Sequence, residues 1–276
     1  MLSRGDIDQL LRDHGLAPRR TFGQNFVADP NTVRRIARLA GVGPGDHVLE
    51  IGAGLGSLTL ALAETGASVT AVEIDRGIVP VLRAVVAGTG VEVVEGDATE
   101  LDWGALLDDH ADWVLVANLP YNVATPLVCD LLDGVPQIAR MLVMVQREVG
   151  ERLSATPRSH AYGAVSVKVA YWATARIAGL VPASVFVPRP NVESALVEIT
   201  RRPEPATPAD PATLFSLVRT AFGQRRKMLR RSLAGAVPAE AFEAAGIDPS
   251  RRPEELDVVE WGRLALACDD LTRAGR

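Results

Sequence analysis

A glycine-rich loop, Glu50-Ile51-Gly52-Ala53-Gly54-Leu55-Gly56, ends one short apolar run, and a helical pattern begins directly after it at Ser57. Glycines at alternate positions let the backbone turn sharply and let a ligand approach without a Cβ in the way. A strand, a glycine loop and a helix in this order are typical of the first unit of an α/β sheet that holds a nucleotide-like ligand. The rest of the chain has to fold around that unit.

Apolar runs and helical patterns alternate on both sides of this loop. The predicted strands cover residues 47–51, 68–73, 91–94, 113–117 and 141–146, and the predicted helices between them cover residues 57–64, 76–86 and 125–132. Nearly continuous apolar strands that alternate with helices indicate an α/β fold with a parallel sheet covered on both faces. Two further strand-like runs, residues 165–171 and 194–200, are expected to add an antiparallel edge.

The last quarter of the chain has a different pattern. Residues 204–211 are rich in proline, alanine and threonine and are predicted to form a linker, and helical patterns follow them. We therefore expect an α/β domain with an N-terminal helical extension over residues 1–203, and a small all-helical domain over residues 212–276.

Composition limits the class of protein. The formal net charge of -5 argues against an indiscriminate nucleic-acid binder, so any RNA contact must come from a local patch. The two cysteines lie in apolar helical contexts and are expected to be reduced, as in a cytoplasmic protein. The histidines show no metal-ligand spacing, and no apolar run reaches the roughly 18 residues that a membrane span needs. We expect neither a metal nor a membrane partner.

Two acids follow the glycine loop, each at the end of a predicted strand. Glu73 stands where a carboxylate can accept both hydroxyl hydrogens of a ribose, and Asp97 stands where one can accept from an adenine amino group. Because the third glycine comes one residue earlier than in the dinucleotide fingerprint, the loop favours S-adenosyl-L-methionine over a ligand with a pyrophosphate. A nicotinamide dehydrogenase is the alternative, and the glycines alone would indicate an ordinary tight turn.

The tetrapeptide Asn118-Leu119-Pro120-Tyr121 ends another apolar run and can grip a flat amino group. The lone pair of an adenine N6 is delocalised into its ring, and two acceptors on its N–H bonds would free that pair for attack. The side-chain oxygen of Asn118 and the carbonyl of Leu119, held by the rigid Pro120, are the candidate acceptors. Tyr121 can stack on the base. The pattern predicts methylation of adenine N6; a plain β-turn with a core tyrosine is the alternative.

A basic cluster near residue 225 is the candidate RNA contact. Its members are Arg225, Arg226, Lys227, Arg230 and Arg231, and Arg19 and Arg20 could extend it. On a helix, residues 226 and 230 and residues 227 and 231 would be like-charged neighbours, an arrangement that a phosphate backbone would relieve. A solvated helix face is the alternative.

Five motifs occur in order along the chain. They are Phe22-Gly23-Gln24-Asn25-Phe26, the glycine loop, the tetrapeptide at 118–121, Phe186-Val187-Pro188-Arg189-Pro190 and Phe222-Gly223-Gln224-Arg225-Arg226-Lys227. Between about Gly15 and Leu233 the chain resembles the small-subunit (16S) ribosomal RNA adenine dimethyltransferases, the kasugamycin-sensitivity family.

The resemblance implies a class I S-adenosylmethionine-dependent methyltransferase fold, Rossmann-like, with a small C-terminal helical domain. It implies N6-dimethylation of two adjacent adenosines near the 3′ end of 16S rRNA, in the 30S ribosomal subunit or its precursor. By the same resemblance, Asn25 and Val27 join Gly52, Gly54, Glu73, Asp97 and Asn118 in holding the cofactor, and Phe186 is a second stacking face for the target base.

Two alternatives to this function are open. Methyltransferases of the erythromycin-resistance type modify an adenine of 23S rRNA and share the fold, but Leu119 and the motif at 222–227 favour the small-subunit enzymes. The other alternative is a ribosome-assembly factor that acts mainly by binding. We expect a monomer, since nothing in the sequence indicates an obligate oligomer.

Overall fold

The computed structural model describes residues 1–19, 23–107 and 112–274; Phe22 of the first motif and Arg20 of the basic loop lie outside these ranges. Contacts divide the chain into two compact units, one made of residues 1–150 and 176–201 and the other of residues 151–175 and 202–276. Residues 151–175 thus group with the helical second unit, although they precede the predicted linker.

The first unit carries the sheet. Its strands are β1 (Phe26–Val27), β2 (His47–Ile51), β3 (Ser68–Glu73), β4 (Glu92–Glu95), β5 (Trp113–Asn118), β6 (Ile138–Gln146), β7 (Ala173–Val181), β8 (Phe186–Val187) and β9 (Ser194–Arg201). Its helices are α1 (Arg4–Asp13), α2 (Pro30–Ala40), α3 (Ser57–Ala63), α4 (Val79–Val85), α5 (Trp103–Leu106), α6 (Ala124–Gly134) and α7 (Arg147–Leu153). Strand β7 begins in the second unit, and α7 ends there.

Seven of these strands form one sheet among the described residues, in the order β4-β3-β2-β5-β6-β9-β7. Strands β2 to β6 pair in parallel, and β9 runs antiparallel to β6. The expected α/β sheet is therefore confirmed. The strand order reverses between β2 and β5, so the loops after these two strands open a crevice at the carboxyl edge of the sheet. The glycine loop and the 118–121 motif are those two loops.

Residues 165–171 form helix α8 (Ala164–Trp172) rather than the predicted strand. The valines of this run predict a strand, but four of its residues are buried and two of them, Val167 and Tyr171, belong to the core of the second unit, where packing overrides β propensity. The Oγ of Ser166 accepts from the Gly163 N–H at 3.1 Å, which ties down the start of the helix. At this edge of the sheet β9 runs antiparallel to β6, and β7 is the neighbour of β9.

The second unit is helical. Its further helices are α9 (Pro211–Phe222), α10 (Leu229–Ser232), α11 (Ala239–Ala245) and α12 (Val258–Ala274). Residues of all four helices belong to one apolar core that also includes Trp261 and Tyr162, which are 0% and 1% exposed. The segment before α9 is packed rather than free: the Ala206 N–H donates to the Tyr171 carbonyl at 2.9 Å, and Thr207 is 5% exposed. None of the helices within the described ranges combines the length and apolar character that crossing a membrane requires.

Gly262 on α12 allows Thr207 to pack directly against the helix backbone. A Cβ at position 262 would lie 2.6 Å from the Cβ of Thr207 and would force the two segments apart. We expect Gly262→Ala to lower the free energy of unfolding by about 1–3 kcal/mol, although alanine favours helices by about 1 kcal/mol over glycine. Urea denaturation measures the change.

Gly5→Ala in α1 is the matched control, since its new Cβ would meet only Ser3 Oγ at 3.8 Å. Equal stability of both variants and the parent protein would contradict the close packing of Thr207 on α12.

Candidate active site

A cleft at the carboxyl edge of the sheet brings three separate segments together. Its walls are the glycine loop after β2, residues 118–121 after β5, and residues 23–27, which we call the strap. A Cβ at Gly23, where φ is +61°, would lie 3.0 Å from Pro120 Cβ, so the strap lies directly on the 118–121 motif. The predicted cofactor residues Asn25, Val27, Gly52 and Gly54 all line this cleft.

The glycine loop needs its glycines for two reasons. Gly52, Gly54 and Gly56 have φ values of +74°, +57° and +89°, which side chains with a Cβ rarely adopt. A Cβ on Gly54 would also lie 3.0 Å from the ring of Phe26 in the strap. The loop is therefore both a turn and a surface on which the strap closes.

The carboxylate of Glu73 holds the glycine loop in place through hydrogen bonds. Its side chain is buried, one oxygen accepts the Gly54 N–H at 2.7 Å and the other accepts the Asp75 N–H at 2.9 Å. Burial raises the pKa of Glu73, and these two hydrogen bonds oppose that shift. Each carboxylate oxygen keeps a second lone pair, so the predicted acceptance of ribose hydroxyls is chemically available.

Asp97 lies in a second cleft that shares Gly52, Ile74 and Pro120 with the first. Its Oδ1 accepts the N–H and the hydroxyl of Thr99 at 2.9 and 2.7 Å. No donor within the described ranges bonds Oδ2, so that oxygen is available to an adenine amino group. The structure thus places both predicted acids in one continuous crevice.

Asn118 is held in a single orientation. Its Nδ2 donates to the carbonyl of Asn25 at 2.9 Å. A carbonyl can only accept, so the atom facing it must be the nitrogen, and Oδ1 must face the other way. Leu119 also lines the cleft, and the whole residue is 1% exposed. Both residues that are predicted to supply the acceptors of the target amine therefore line the cleft.

Tyr121 lines the same cleft and is anchored by a residue that sequence reasoning missed. Its hydroxyl shares a hydrogen bond of 2.9 Å with Ser194 Oγ, at the fully buried start of β9. Burial raises the pKa of Tyr121, so the phenol stays neutral. Ser194 lies 73 positions away in the chain, and only the fold could reveal the pair.

Phe186 does not offer the stacking face that the resemblance implies. Its side chain is 0% exposed and belongs to the buried cluster that includes Val27, its partner in the β1–β8 ribbon. Strand alternation in this ribbon turns the ring into the core, and the Arg4 guanidinium donates to the Phe186 carbonyl at 3.2 Å. The structure places Phe186 beside the strap, but its ring does not line the cleft.

Glu50 is a cleft residue whose role sequence reasoning also missed. It is 2% exposed, and among the described residues neither its Oε2 nor the buried Oγ of Ser57 has a hydrogen-bond partner. Burial raises the pKa of Glu50 to about 8, and the charge of Glu73 adds to the shift. Its place at the end of β2, beside the glycines, was the available signal. Orphaned buried polar atoms of this kind fit a cofactor that carries an ammonium group.

The basic cluster is not one helix face. Helix α9 ends at Phe222, residues 223–226 form turns, and α10 begins at Leu229. The helical spacing predicted for residues 226/230 and 227/231 is therefore wrong, because Lys227 is not helical and the extended backbone of Met228 interrupts the helix. The side chains that remain exposed are Arg226, Lys227, Arg230 and Arg231.

Arg225 differs from its neighbours because it is already paired. Its Nε lies 2.6 Å from a Glu254 carboxylate oxygen, and its guanidinium donates to the His160 carbonyl at 3.0 Å. These bonds join segments of the second unit. The geometry therefore favours a structural role for Arg225 over the predicted contact with RNA.

The raised pKa of Glu50 predicts how stability depends on pH. The unfolded chain releases this proton near pH 4.5, whereas the folded protein keeps it to about 8. Between these values the folded state binds more protons, so the free energy of unfolding falls as the pH rises. Each unit of pKa difference corresponds to about 1.4 kcal/mol. We expect Glu50→Gln to flatten this decrease, measured by urea denaturation without cofactor between about pH 5 and pH 9.

Glu92→Gln, an exposed acid on β4, controls for the change of net charge. A Glu50→Gln variant whose stability follows the same pH curve as the parent would show that the carboxyl titrates normally.

Similarity to known proteins extends over nearly the whole chain. The family model for ribosomal RNA adenine dimethylase matches residues 15–269. The ribosomal RNA small subunit methyltransferase A of Bifidobacterium adolescentis is 48% identical over 288 residues, 98% of this chain and 95% of that protein. The crystal structure of 23S rRNA methyltransferase ErmE has a TM-score of 0.67 at 27% identity and covers 88% of this chain and 99% of that one. A dimethyladenosine transferase from Plasmodium falciparum has a TM-score of 0.76 at 23% identity, with coverage of 90% and 97%.

The likeness to the Plasmodium protein shows the fold, and the family match and the bacterial relative show the family. They confirm the resemblance found in the sequence, and with it the methyl donor, S-adenosylmethionine. The chain belongs to the ribosomal RNA adenine dimethylase family of S-adenosylmethionine-dependent methyltransferases.

Proposed function

We propose that this chain dimethylates N6 of two adjacent adenosines near the 3′ end of 16S rRNA, in the 30S subunit or its precursor. The orientation of Asn118 carries the proposal: its Nδ2 is fixed on the Asn25 carbonyl, so its oxygen is free for the target amine. The relative named for the small subunit, at 48% identity, supports the choice of ribosomal RNA. The enzyme acts in the cytoplasm as a monomer.

We also propose which region of the chain carries each role. The methyl-transfer chemistry lies in the part of residues 1–203 that forms the first unit, and residues 212–276 contact RNA. Residues 204–211 connect these regions and are packed within the second unit. The exposed cations at 226, 227, 230 and 231 support the contact with RNA, since they lie in a chain whose net charge is -5.

The residues of the cleft act by positioning. Glu73 and Asp97 accept from the ribose and the adenine of S-adenosylmethionine, whose sulfonium supplies an activated methyl group. Asn118 Oδ1 and the Leu119 carbonyl accept the two N–H bonds of the target amine and draw its lone pair out of the ring. Tyr121, fixed by Ser194, stacks on the base. Correct placement of the reacting groups can supply roughly 7–11 kcal/mol of the barrier reduction.

Mapping the methylated nucleotides tests the proposal. Small subunits that lack N6-dimethyladenosine are incubated with the protein and labelled S-adenosylmethionine, with 23S rRNA alongside. We expect label on two adjacent adenosines near the 16S 3′ end. Label on 23S rRNA would assign the erythromycin-resistance type, and cofactor binding without transfer would assign a binding role in assembly.

Asn118→Ala is expected to lower kcat on the order of a hundredfold, because it removes one hydrogen bond aimed at the developing charge. Circular dichroism and the unfolding midpoint control for folding. An Asn118→Ala variant with full activity would remove the amide from the mechanism.

The exposed cations predict the salt dependence of RNA binding. Arg226→Ala with Lys227→Ala should reduce the slope of log Kd against log salt by about 0.7–0.9 for each phosphate that the variant no longer neutralises. Arg38→Ala with Arg83→Ala, two exposed cations of the first unit, is a control of equal charge. An unchanged slope in the 226/227 variant would exclude these side chains from the RNA surface.

A further inference from the structure

Gln24 of the strap has its side-chain amide fixed from both ends. Its Oε1 accepts the backbone N–H of Arg19 at 2.7 Å, and its Nε2 donates to Oδ2 of Asp75 at 2.9 Å. A backbone N–H can only donate and a carboxylate can only accept, so the amide has one possible orientation. Neither bond is made to a residue proposed to touch cofactor or base.

The side chain of Asp75, which accepts the hydrogen bond from Gln24, is itself held in place. It is 3% exposed, and its other oxygen accepts the Gly77 N–H at 2.9 Å and lies 3.4 Å from the Arg19 guanidinium. Its own N–H donates to Glu73, which also holds Gly54. The bond from Gln24 therefore ties the strap to the same turn that fixes the glycine loop.

The residue after Gln24 supplies the carbonyl that orients Asn118. The path runs from Asp75 through Gln24 to the Asn25 carbonyl and ends at Asn118 Nδ2, with hydrogen bonds of 2.9 Å at both ends. We infer that Gln24 and Asp75 are positioning residues, which hold the strap so that the oxygen of Asn118 faces the target amine. The inference rests on the proposed role of Asn118.

A reversal of hydrogen-bond polarity tests the inference. Gln24→Glu sets a carboxylate against Asp75 and should release the strap. Gln24→Glu with Asp75→Asn exchanges acceptor and donor. The carboxylate introduced at position 24 would still accept from the Arg19 N–H, and the amide introduced at position 75 would donate to that carboxylate while still accepting from Gly77. The double variant also has the charge of the parent protein.

Three quantities are measured: kcat, the affinity for S-adenosylhomocysteine, and deuterium uptake of residues 23–27. We expect Gln24→Glu to lower kcat roughly ten- to hundredfold, the worth of a hydrogen bond to a charged group, and to raise deuterium uptake in the strap. The double variant should restore both to near the parent values. Gln24→Ala, which removes the bonds without adding charge, should lie between the parent and Gln24→Glu.

Gln9→Glu is the matched control, because Gln9 Nε2 donates to Asp13 at 2.6 Å on the exposed face of α1. It makes the same chemical change beside an aspartate and should leave all three quantities unchanged. A double variant no better than Gln24→Glu, or a strap that exchanges no faster in Gln24→Glu, would overturn the inference. Deuterium uptake needs no RNA, so this result is separate from the identity of the methylated nucleotide.

Discussion

The carboxylate of Glu73 is the contact on which the cleft depends. One buried side chain receives the N–H groups of Gly54 and Asp75 and so fastens the turn after β3 to the loop after β2. A buried N–H without a partner costs roughly 1–3 kcal/mol, and Glu73 satisfies two. Asp75 in turn accepts a hydrogen bond from Gln24. The strap, the glycine loop and the turn after β3 are therefore held together at one edge of the sheet.

Two acids in one buried cleft favour a ligand with positive charge. Glu50 and Glu73 both have a raised pKa, first because of burial; the charge of Glu73 adds to the shift at Glu50, and the charge of Asp75 adds to the shift at Glu73. A cation that enters the cleft reverses this penalty, since it stabilises the ionised form of both. S-adenosylmethionine carries a sulfonium and an ammonium, so the electrostatics of the fold itself match the cofactor of the family.

The sequence could predict the site residues that stand at or just after the ends of strands. Gly52, Glu73, Asp97 and Asn118 each end or follow an apolar run, and parallel strands bring their carboxyl ends to one edge. Contacts between distant segments carry no such signal, and so Ser194 and the Gln24–Asp75 pair were missed. Glu50 was missed although it stands near a strand end. Local composition also misled where burial decides: the valine-rich run 165–171 is a core helix, the ring of Phe186 is buried, and Arg225 is paired with Glu254.

The acceptor that orients Asn118 is a main-chain carbonyl, and this affects how the site tolerates substitution. Every amino acid at position 25 has that carbonyl, so no exchange of the side chain there removes the acceptor. A substitution at position 25 therefore keeps the acceptor that orients Asn118. A substitution of Gln24 or Asp75, whose side chains place the backbone, is expected to change that orientation. Among related sequences this contact should therefore constrain position 24, whereas the side chain at position 25 is constrained by the cofactor that it is predicted to hold.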